Sequence, residues 1–371
     1  MIVYWSIFLW AFAASSYMNL KREKAIERNA NLKTTYKYSF LAVIIALLPL
    51  WFFAGFRTYG VGDTLAYIET FKKTSLEFRI PKYSSSFLFD LLRSFVKSHI
   101  SNSAIFWLFL LDTLAFIPIC ATLSTYSIDI QISVSFFILS GCFEYFFNGA
   151  RQMIAIAICF YATKFLEKNK IFRYILFVFI ASLFHGSAVV AFACIILYKI
   201  KPWSRITWLM VFITIAFVLL PKSVLAKIIS DAVENTDYSI YSTHLRTNGL
   251  NPIRAITLLI PPVISFVLRE KIREKNNLML NFTVNASIIT GLMYTLGIFI
   301  NGLLVARVTM YFMIYNSLFY AYLFQMIIPK EKKFYRFIFF LAYLIFFIYQ
   351  MYFSYGGLPY VSDVLGIYLY K

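Results

Sequence analysis

What most constrains this chain is a succession of apolar runs, each close to the length of a membrane crossing and each followed by a short polar segment. A helix needs about 20 apolar residues to span the hydrocarbon core of a bilayer. By that rule the sequence predicts spans near 2 to 19, 38 to 56, 104 to 124, 132 to 148, 151 to 167, 171 to 184, 186 to 199, 204 to 221, 253 to 268, 278 to 299, 306 to 328 and 334 to 352. Composition agrees: 371 residues, 61% hydrophobic, 20% aromatic and only 14% charged, lie outside the range of soluble domains. The predicted fold class is an all-α polytopic transmembrane helix bundle of about twelve spans. It forms one membrane domain over 1 to 371, with no internal repeat, low-complexity tract or separate soluble domain. The two runs flanking His185 are short, which predicts two half-membrane helices or one bent hairpin.

The formal net charge is +18. In a soluble chain that excess would suggest nucleic acid, but here the basic residues sit between apolar runs, so they report topology and contact with anionic membrane lipids. The clusters are Lys21, Arg22, Lys24, Arg28, Lys33, Lys37; then Lys164, Lys168, Lys170, Arg173; then Lys199, Lys201, Arg205; then Arg269, Lys271, Arg273, Lys275; then Lys330, Lys332, Lys333, Arg336. If the spans alternate, all five fall on one side, which the positive-inside rule makes cytoplasmic, and both termini lie outside. The first run lacks the charged start and small-residue cleavage site of a signal peptide, so it remains as the first span. Cys120, Cys142, Cys159 and Cys194 all lie in apolar runs, which argues against a disulfide framework or a zinc site.

Two longer polar segments, about 57 to 103 and 222 to 252, remain as extracytoplasmic loops, longer than connections that merely join helices. Chemistry is expected there. The first begins at Phe56-Arg57-Thr58-Tyr59-Gly60-Val61-Gly62-Asp63, where two glycines allow the backbone to fold Arg57 and Asp63 together. The second begins with helically spaced apolar residues from Lys222, which suits an interfacial helix. Pro261-Pro262 is expected to kink its span.

Four arginines meet the outer ends of predicted spans: Arg57, Arg151, Arg254 and Arg307. Each either snorkels to phospholipid headgroups or has a partner and a task. Arg151 follows Phe147-Asn148-Gly149-Ala150, in which Asn148 resembles a helix N-cap. A guanidinium at a helix start suits phosphate or pyrophosphate, the alternative being an ion pair with Glu144. His185 lies between its two short runs either as a proton acceptor or as a histidine holding a hairpin. His99 and His244 have no second ligand at a fixed spacing, so no metal is predicted. Asp112 and Glu144 fall inside spans and are read as supporting groups.

At these residues the chain resembles the EpsG family of bacterial Wzy-type polysaccharide polymerases. The similarity rests on Arg57 followed by Val61-Gly62-Asp63 and Tyr67; on Asn148-Gly149-Ala150-Arg151-Gln152 opening a helix; on Phe184-His185-Gly186-Ser187; and on Arg307 to Tyr311 in a Tyr-rich span. Gly62 is followed directly by Asp63, one residue short of the family's usual spacing. The resemblance implies a GT-C-like enzyme of the bacterial cytoplasmic (inner) membrane, with its active site facing the periplasm or outside. It implies transfer of a glycan from undecaprenyl pyrophosphate to a second lipid-linked oligosaccharide in O-antigen, capsule or exopolysaccharide synthesis. Flippase and chain-length regulator proteins would be its partners. Asp63, His185, Arg57 and Arg151 are then the catalytic candidates, with Asp63 favoured as base. Arg307, Tyr67, Arg254, Tyr311 and Gln152 are the substrate-binding candidates. Without an Asp-x-Asp metal motif in an outer loop, arginines would replace a divalent ion, and no cofactor is expected.

A polysaccharide ligase would use similar residues, and a lipid-linked oligosaccharide transporter could line its path with them. A transporter should show inverted repeats and midplane sites, whereas here the ionisable residues gather at one face. The topology is testable by cysteine labelling in intact cells. Positions 24, 168, 271 and 332 should resist an impermeant reagent and 74 and 235 should react; labelling at 168 or 271 would overturn the arrangement.

Overall fold

The computed structural model describes residues 2–29, 37–221, 250–299, 302–327, 333–353 and 359–368, with a few positions between 223 and 231. Among them the regular structure is helical, with one isolated antiparallel bridge between Ser362 and Ile367. The predicted apolar runs are mostly helical among the described residues, but run 132 to 148 breaks at Ser140-Gly141 and run 306 to 328 at Ile314-Tyr315. Only two described helices, Ala104–Tyr126 and Arg336–Phe353, are long and apolar enough to cross a membrane individually. A bent pair, Pro252–Val267 with Arg269–Lys275, passes the same test when taken as one span.

The chain packs as two compact units, Met1–Val189 with Lys332–Lys371, and Val190–Glu331. In the first, the helices are α1 (Ile2–Arg28), α2 (Phe40–Gly55), α3 (Thr64–Lys73), α4 (Phe87–His99), α5 (Ala104–Tyr126), α6 (Ile130–Leu139), α7 (Ala150–Glu167) and α8 (Ile171–Phe184). A last helix, Lys333–Phe353, completes it. Local sequence sets several starts: the Ser103 hydroxyl accepts the Phe106 N–H, and the Asp129 carboxylate accepts the Ile132 N–H at 3.1 Å. At 23 residues, α5 reaches about 35 Å at 1.5 Å per residue, enough for a hydrocarbon core of about 30 Å.

This unit has two distinct ends. At one, the Asn19 amide donates to Asp129 at 2.5 Å, Tyr38 to Asn19 at 2.6 Å and Tyr126 to Glu167 at 2.7 Å. The basic residues after Asn19 and Glu167 follow from there. Phe340 packs on Phe12, and Phe347 on Trp5, so the last helix runs antiparallel to α1 and starts at the same basic end. At the other end lie the start of α1, where Tyr4 packs on Phe147, together with the Arg57 turn and residues 359–367. Within this unit the basic segments after Asn19 and Glu167 therefore lie at the end opposite the Arg57 turn.

The predicted first loop is not irregular: it folds into α3 and α4. Tyr67 and Phe71 of α3 and Phe89 of α4 bury apolar faces, with Phe71 stacked on Trp107 of α5 at 5.3 Å. These helices form a cap rather than a connection.

In the second unit, Pro252–Val267 passes unbroken through Pro261-Pro262, and the 69° bend falls at Leu268 instead. Gly291 lets its helix lie close against the proline pair, since an added Cβ there would lie 2.8 Å from the Pro262 ring. The Asn285 amide of helix Leu278–Gly297 donates to the carbonyls of Leu197 and Ile200 at 2.8 and 2.9 Å, satisfying acceptors at the end of helix Ala193–Lys199. Most of the predicted loop 222 to 252, including seven of the twelve residues of the proposed interfacial helix, lies outside the described residues.

The deepest polar contact of the first unit is the ion pair between Arg57 Nη1 and Asp112 Oδ2 at 2.5 Å, both side chains 1% exposed. Breaking a buried pair by removing one partner typically costs about 3 to 5 kcal/mol, whereas replacing both partners by apolar groups is often neutral. Asp112→Ala should therefore sharply lower thermal stability in detergent, and Arg57→Met combined with Asp112→Leu should recover much of it. Equal instability of the single and double variants would show that Arg57 is held by other contacts.

Candidate functional site

The site is built on the turn that joins α2 to α3. Gly60 and Gly62 have φ of +83° and +49°, left-handed values that residues with a Cβ rarely adopt. Between them Val61 is fully buried, and its carbonyl accepts the Thr64 N–H at 3.1 Å. The Arg57 guanidinium turns inward. Its Nη1 donates to Asp112 and the Ala54 carbonyl, and its Nε to the Thr64 hydroxyl at 3.0 Å. Arg57 thus pairs with Asp112 of α5, and Asp63 stands at the start of α3 on the other side of the turn. The sequence pattern could not show this, because Asp112 is 55 residues away in an apolar run.

A segment near the C-terminus locks the same turn. The Thr58 N–H donates to the Val361 carbonyl at 3.0 Å, the Ser362 hydroxyl to the Phe56 carbonyl at 2.6 Å, and the Tyr360 hydroxyl to the Phe53 carbonyl at 2.9 Å. Burial holds the Tyr360 phenol up at about 12. The Tyr59 hydroxyl donates to Asp363, and that bond raises its pKa. Sequence reasoning assigned this segment nothing.

The second component is the start of α7. Gly149, with φ +98°, occupies the cap position expected for Asn148 and, being glycine, brings no side-chain cap of its own. Asn148 instead packs on the glycine turn: a Cβ added to Gly62 would lie 2.6 Å from its Cβ. The Arg151 N–H donates to the Tyr67 hydroxyl at 3.4 Å, so α3 supplies an acceptor to one of the free amides of α7. Burial raises the Tyr67 pKa, opposed by the charge of Arg151. The Arg151 guanidinium donates to the Ser86 hydroxyl at 3.3 Å and lies 5.6 Å from the centre of the Phe89 ring. Glu144 lies elsewhere, at Gly141, where an added Cβ would meet both its carboxylate and the Gln350 amide.

The third component is the start of α4. The Asp90 carboxylate accepts from the Ser84 and Ser86 hydroxyls at 3.3 Å and pairs with Arg93 at 3.0 Å. Neither Ser86 nor Arg93 stood out in the sequence, although Ser-x-x-x-Asp-x-x-Arg at a helix start carries the spacing that joins them. His185 ends α8, its Nδ1 2.7 Å from the Ser187 hydroxyl. A Cβ on Gly186 would come within 3.1 Å of the Ser85 side chain, which sets the histidine segment against the serine run.

One end of the first unit therefore carries Asp63, Tyr67, Arg151 and His185, with Arg57 buried behind them. Gln152 is buried in α7. Arg254 and Tyr311 are buried and Arg307 half-buried in the second unit. The first end offers a carboxylate, an imidazole, hydroxyls and guanidinium groups, a set suited to proton transfer and anion binding. Among the described residues no group of three or more His, Cys, Asp or Glu is placed to hold a metal ion.

A family model described as the EpsG family matches residues 40–362. No curated protein and no solved structure matches the chain. The matched region spans the turn, the α7 start, the histidine segment and Ser362.

The close approach at Gly62 gives a direct test of this assembly. Gly62→Ala adds a left-handed strain and a clash with Asn148, and overpacking typically costs about 1 to 3 kcal/mol. It should lower thermal stability by that amount, whereas Leu65→Ala on the exposed side of α3 should change it little. Wild-type stability for Gly62→Ala would mean that the turn and the α7 start are not in contact.

Proposed function

The chain belongs to the EpsG family, and from that membership together with the cluster at the Arg57 end we propose that it polymerises lipid-linked oligosaccharide repeat units. The coarse part of this reading follows from the family and the apolar helices: it is a membrane protein of polysaccharide biosynthesis. The observation that carries the finer part is the convergence of Asp63, Tyr67, Arg151 and His185 at one end of the first unit, where a carboxylate and a guanidinium serve opposite halves of one glycosyl transfer.

In this proposal the growing glycan is bound through its anomeric carbon to undecaprenyl pyrophosphate, and a sugar hydroxyl of a second repeat unit attacks that carbon. The Asp63 carboxylate takes the hydroxyl proton as the new carbon–oxygen bond forms. The bond to the pyrophosphate oxygen breaks, and its electron pair leaves with undecaprenyl pyrophosphate. Arg151 meets that negative charge; a guanidinium does so with two parallel hydrogen bonds where an ammonium is a point charge. Loss of one charge-stabilising donor in a dry site costs on the order of 2.7 to 4 kcal/mol of barrier.

Arg57, buried against Asp112, acts by holding the turn that carries Asp63. His185 positions the acceptor through the Ser187 segment. Within the second unit Arg254, Arg307 and Tyr311 are its own candidates for substrate binding, and within the first Tyr67 and Gln152 shape the Arg57 end. The enzyme would sit in the cytoplasmic membrane with the Arg57 end outward and would use no metal.

The test is incubation of the purified protein with a lipid-linked repeat unit. Longer glycans are expected, and translocation without elongation would assign a transporter instead. Asp63→Asn is close in shape and takes no proton, so it should abolish elongation while lipid-linked donor still binds, and His185→Gln should be partial. An unperturbed histidine protonates near pH 6.5, so a histidine base would lose rate as pH falls through that value. Such a fall in the wild type, with substantial activity in Asp63→Asn, would give the base role to His185.

A further inference from the structure

The first unit holds a second guanidinium that neither the sequence pattern nor the family motifs single out. Arg93 lies on α4, its side chain 22% exposed, and its Nη1 pairs with Asp90 Oδ1 at 3.0 Å. Its Nε is buried and has no hydrogen-bond partner among the described residues. The other carboxylate oxygen of Asp90 accepts from Ser86, whose hydroxyl oxygen accepts from Arg151. One carboxylate thus stands between two guanidiniums, and it pairs directly with only one of them.

Electrostatics shows that the two cations sense each other. Burial lowers the Arg93 pKa most, Asp90 raises it, and the charge of Arg151 lowers it further. Arg151 itself is half-buried and is met by a hydroxyl and an aromatic face, so its charge is not neutralised by direct pairing. Two partly desolvated like charges destabilise each other, and a bound anion removes that repulsion.

We propose that Arg93 and Arg151 together form a two-guanidinium site for a phosphoryl anion, with Asp90 and Ser86 spacing the two forks. The inference rests on the polymerase reading for the identity of the anion, which would be the pyrophosphate of the lipid-linked substrate, but the site itself follows from the geometry. Asp90 acts as a positioning residue and competes with the ligand for Arg93. The shared chemistry with phospholipid headgroups defines the alternative source of the anion.

The experiment measures binding of inorganic pyrophosphate to the purified full chain, in nanodiscs of phosphatidylcholine and of phosphatidylglycerol. Arg93→Gln should weaken binding at least tenfold, Arg93→Lys should retain the Asp90 pair and weaken it less, and Asp90→Asn should tighten it severalfold by freeing the fork. Thermal stability of each variant is read in parallel, and Arg93→Lys keeps the test valid if Arg93→Gln does not fold. Wild-type binding in both Arg93 variants, no tightening in Asp90→Asn, or no pyrophosphate binding by the wild type would each overturn the site. Loss of binding in phosphatidylglycerol alone would assign the site to headgroups and overturn its substrate role. Elongation assayed separately keeps the two readings apart. Pyrophosphate binding through Arg93 without elongation leaves the site standing and removes the polymerase, and elongation unaffected by Arg93→Gln does the reverse.

Discussion

The buried pair of Arg57 and Asp112 is the contact on which the rest of the first unit depends. An arginine with 1% of its side chain exposed at the end of an apolar helix is tolerable only with a carboxylate beside it, and Asp112 is equally enclosed. Because the guanidinium also bonds the Ala54 carbonyl and the Thr64 hydroxyl, a single charge ties together the end of α2, the start of α3 and the middle of α5. The glycine turn is stretched between those fixed points. Asp63 and Tyr67, on the far side of Thr64, take their positions from it.

That arrangement changes how the arginines are to be understood. They form a graded series rather than a ring of equivalent cations at a surface. Arg57 is neutralised and structural, Arg93 is neutralised by a carboxylate that also serves a neighbour, and Arg151 faces a hydroxyl and a ring. Direct pairing with a carboxylate falls along the series. A sequence shows only that each residue is arginine.

How much was legible follows from the range of each signal. Helices, basic segments and the separation of the two ends within the first unit depend on local apolar length and charge, and the sequence carries both. The two helices within 57 to 103 were hidden because their apolar faces are interrupted by Ser, Lys and Arg, so the stretch was read as polar loop. Asn148 matched the preference for a cap, but the close approach of Gly62 drew its side chain to the turn and left Gly149 to start the helix. The bend expected at Pro261-Pro262 falls at Leu268 instead, between the two helices of the bent pair. The partners Asp112, Ser86 and Val361 lie 55, 65 and 303 residues from the groups they hold, beyond any spacing rule.

The strap formed by residues 360 to 363 also bears on the order of events in biosynthesis. The turn that carries Asp63 is made early, yet two of its backbone groups and the Thr58 hydroxyl bond to residues synthesised some 300 positions later. Contacts so distant in sequence close late, after nearer ones have formed. A nascent chain holding α1 to α8 has the glycines, the arginine and its aspartate, but the turn lacks its clasp until residues 360 to 363 have been made. Quality control at the membrane would therefore meet an intermediate whose Arg57 turn is still unfastened.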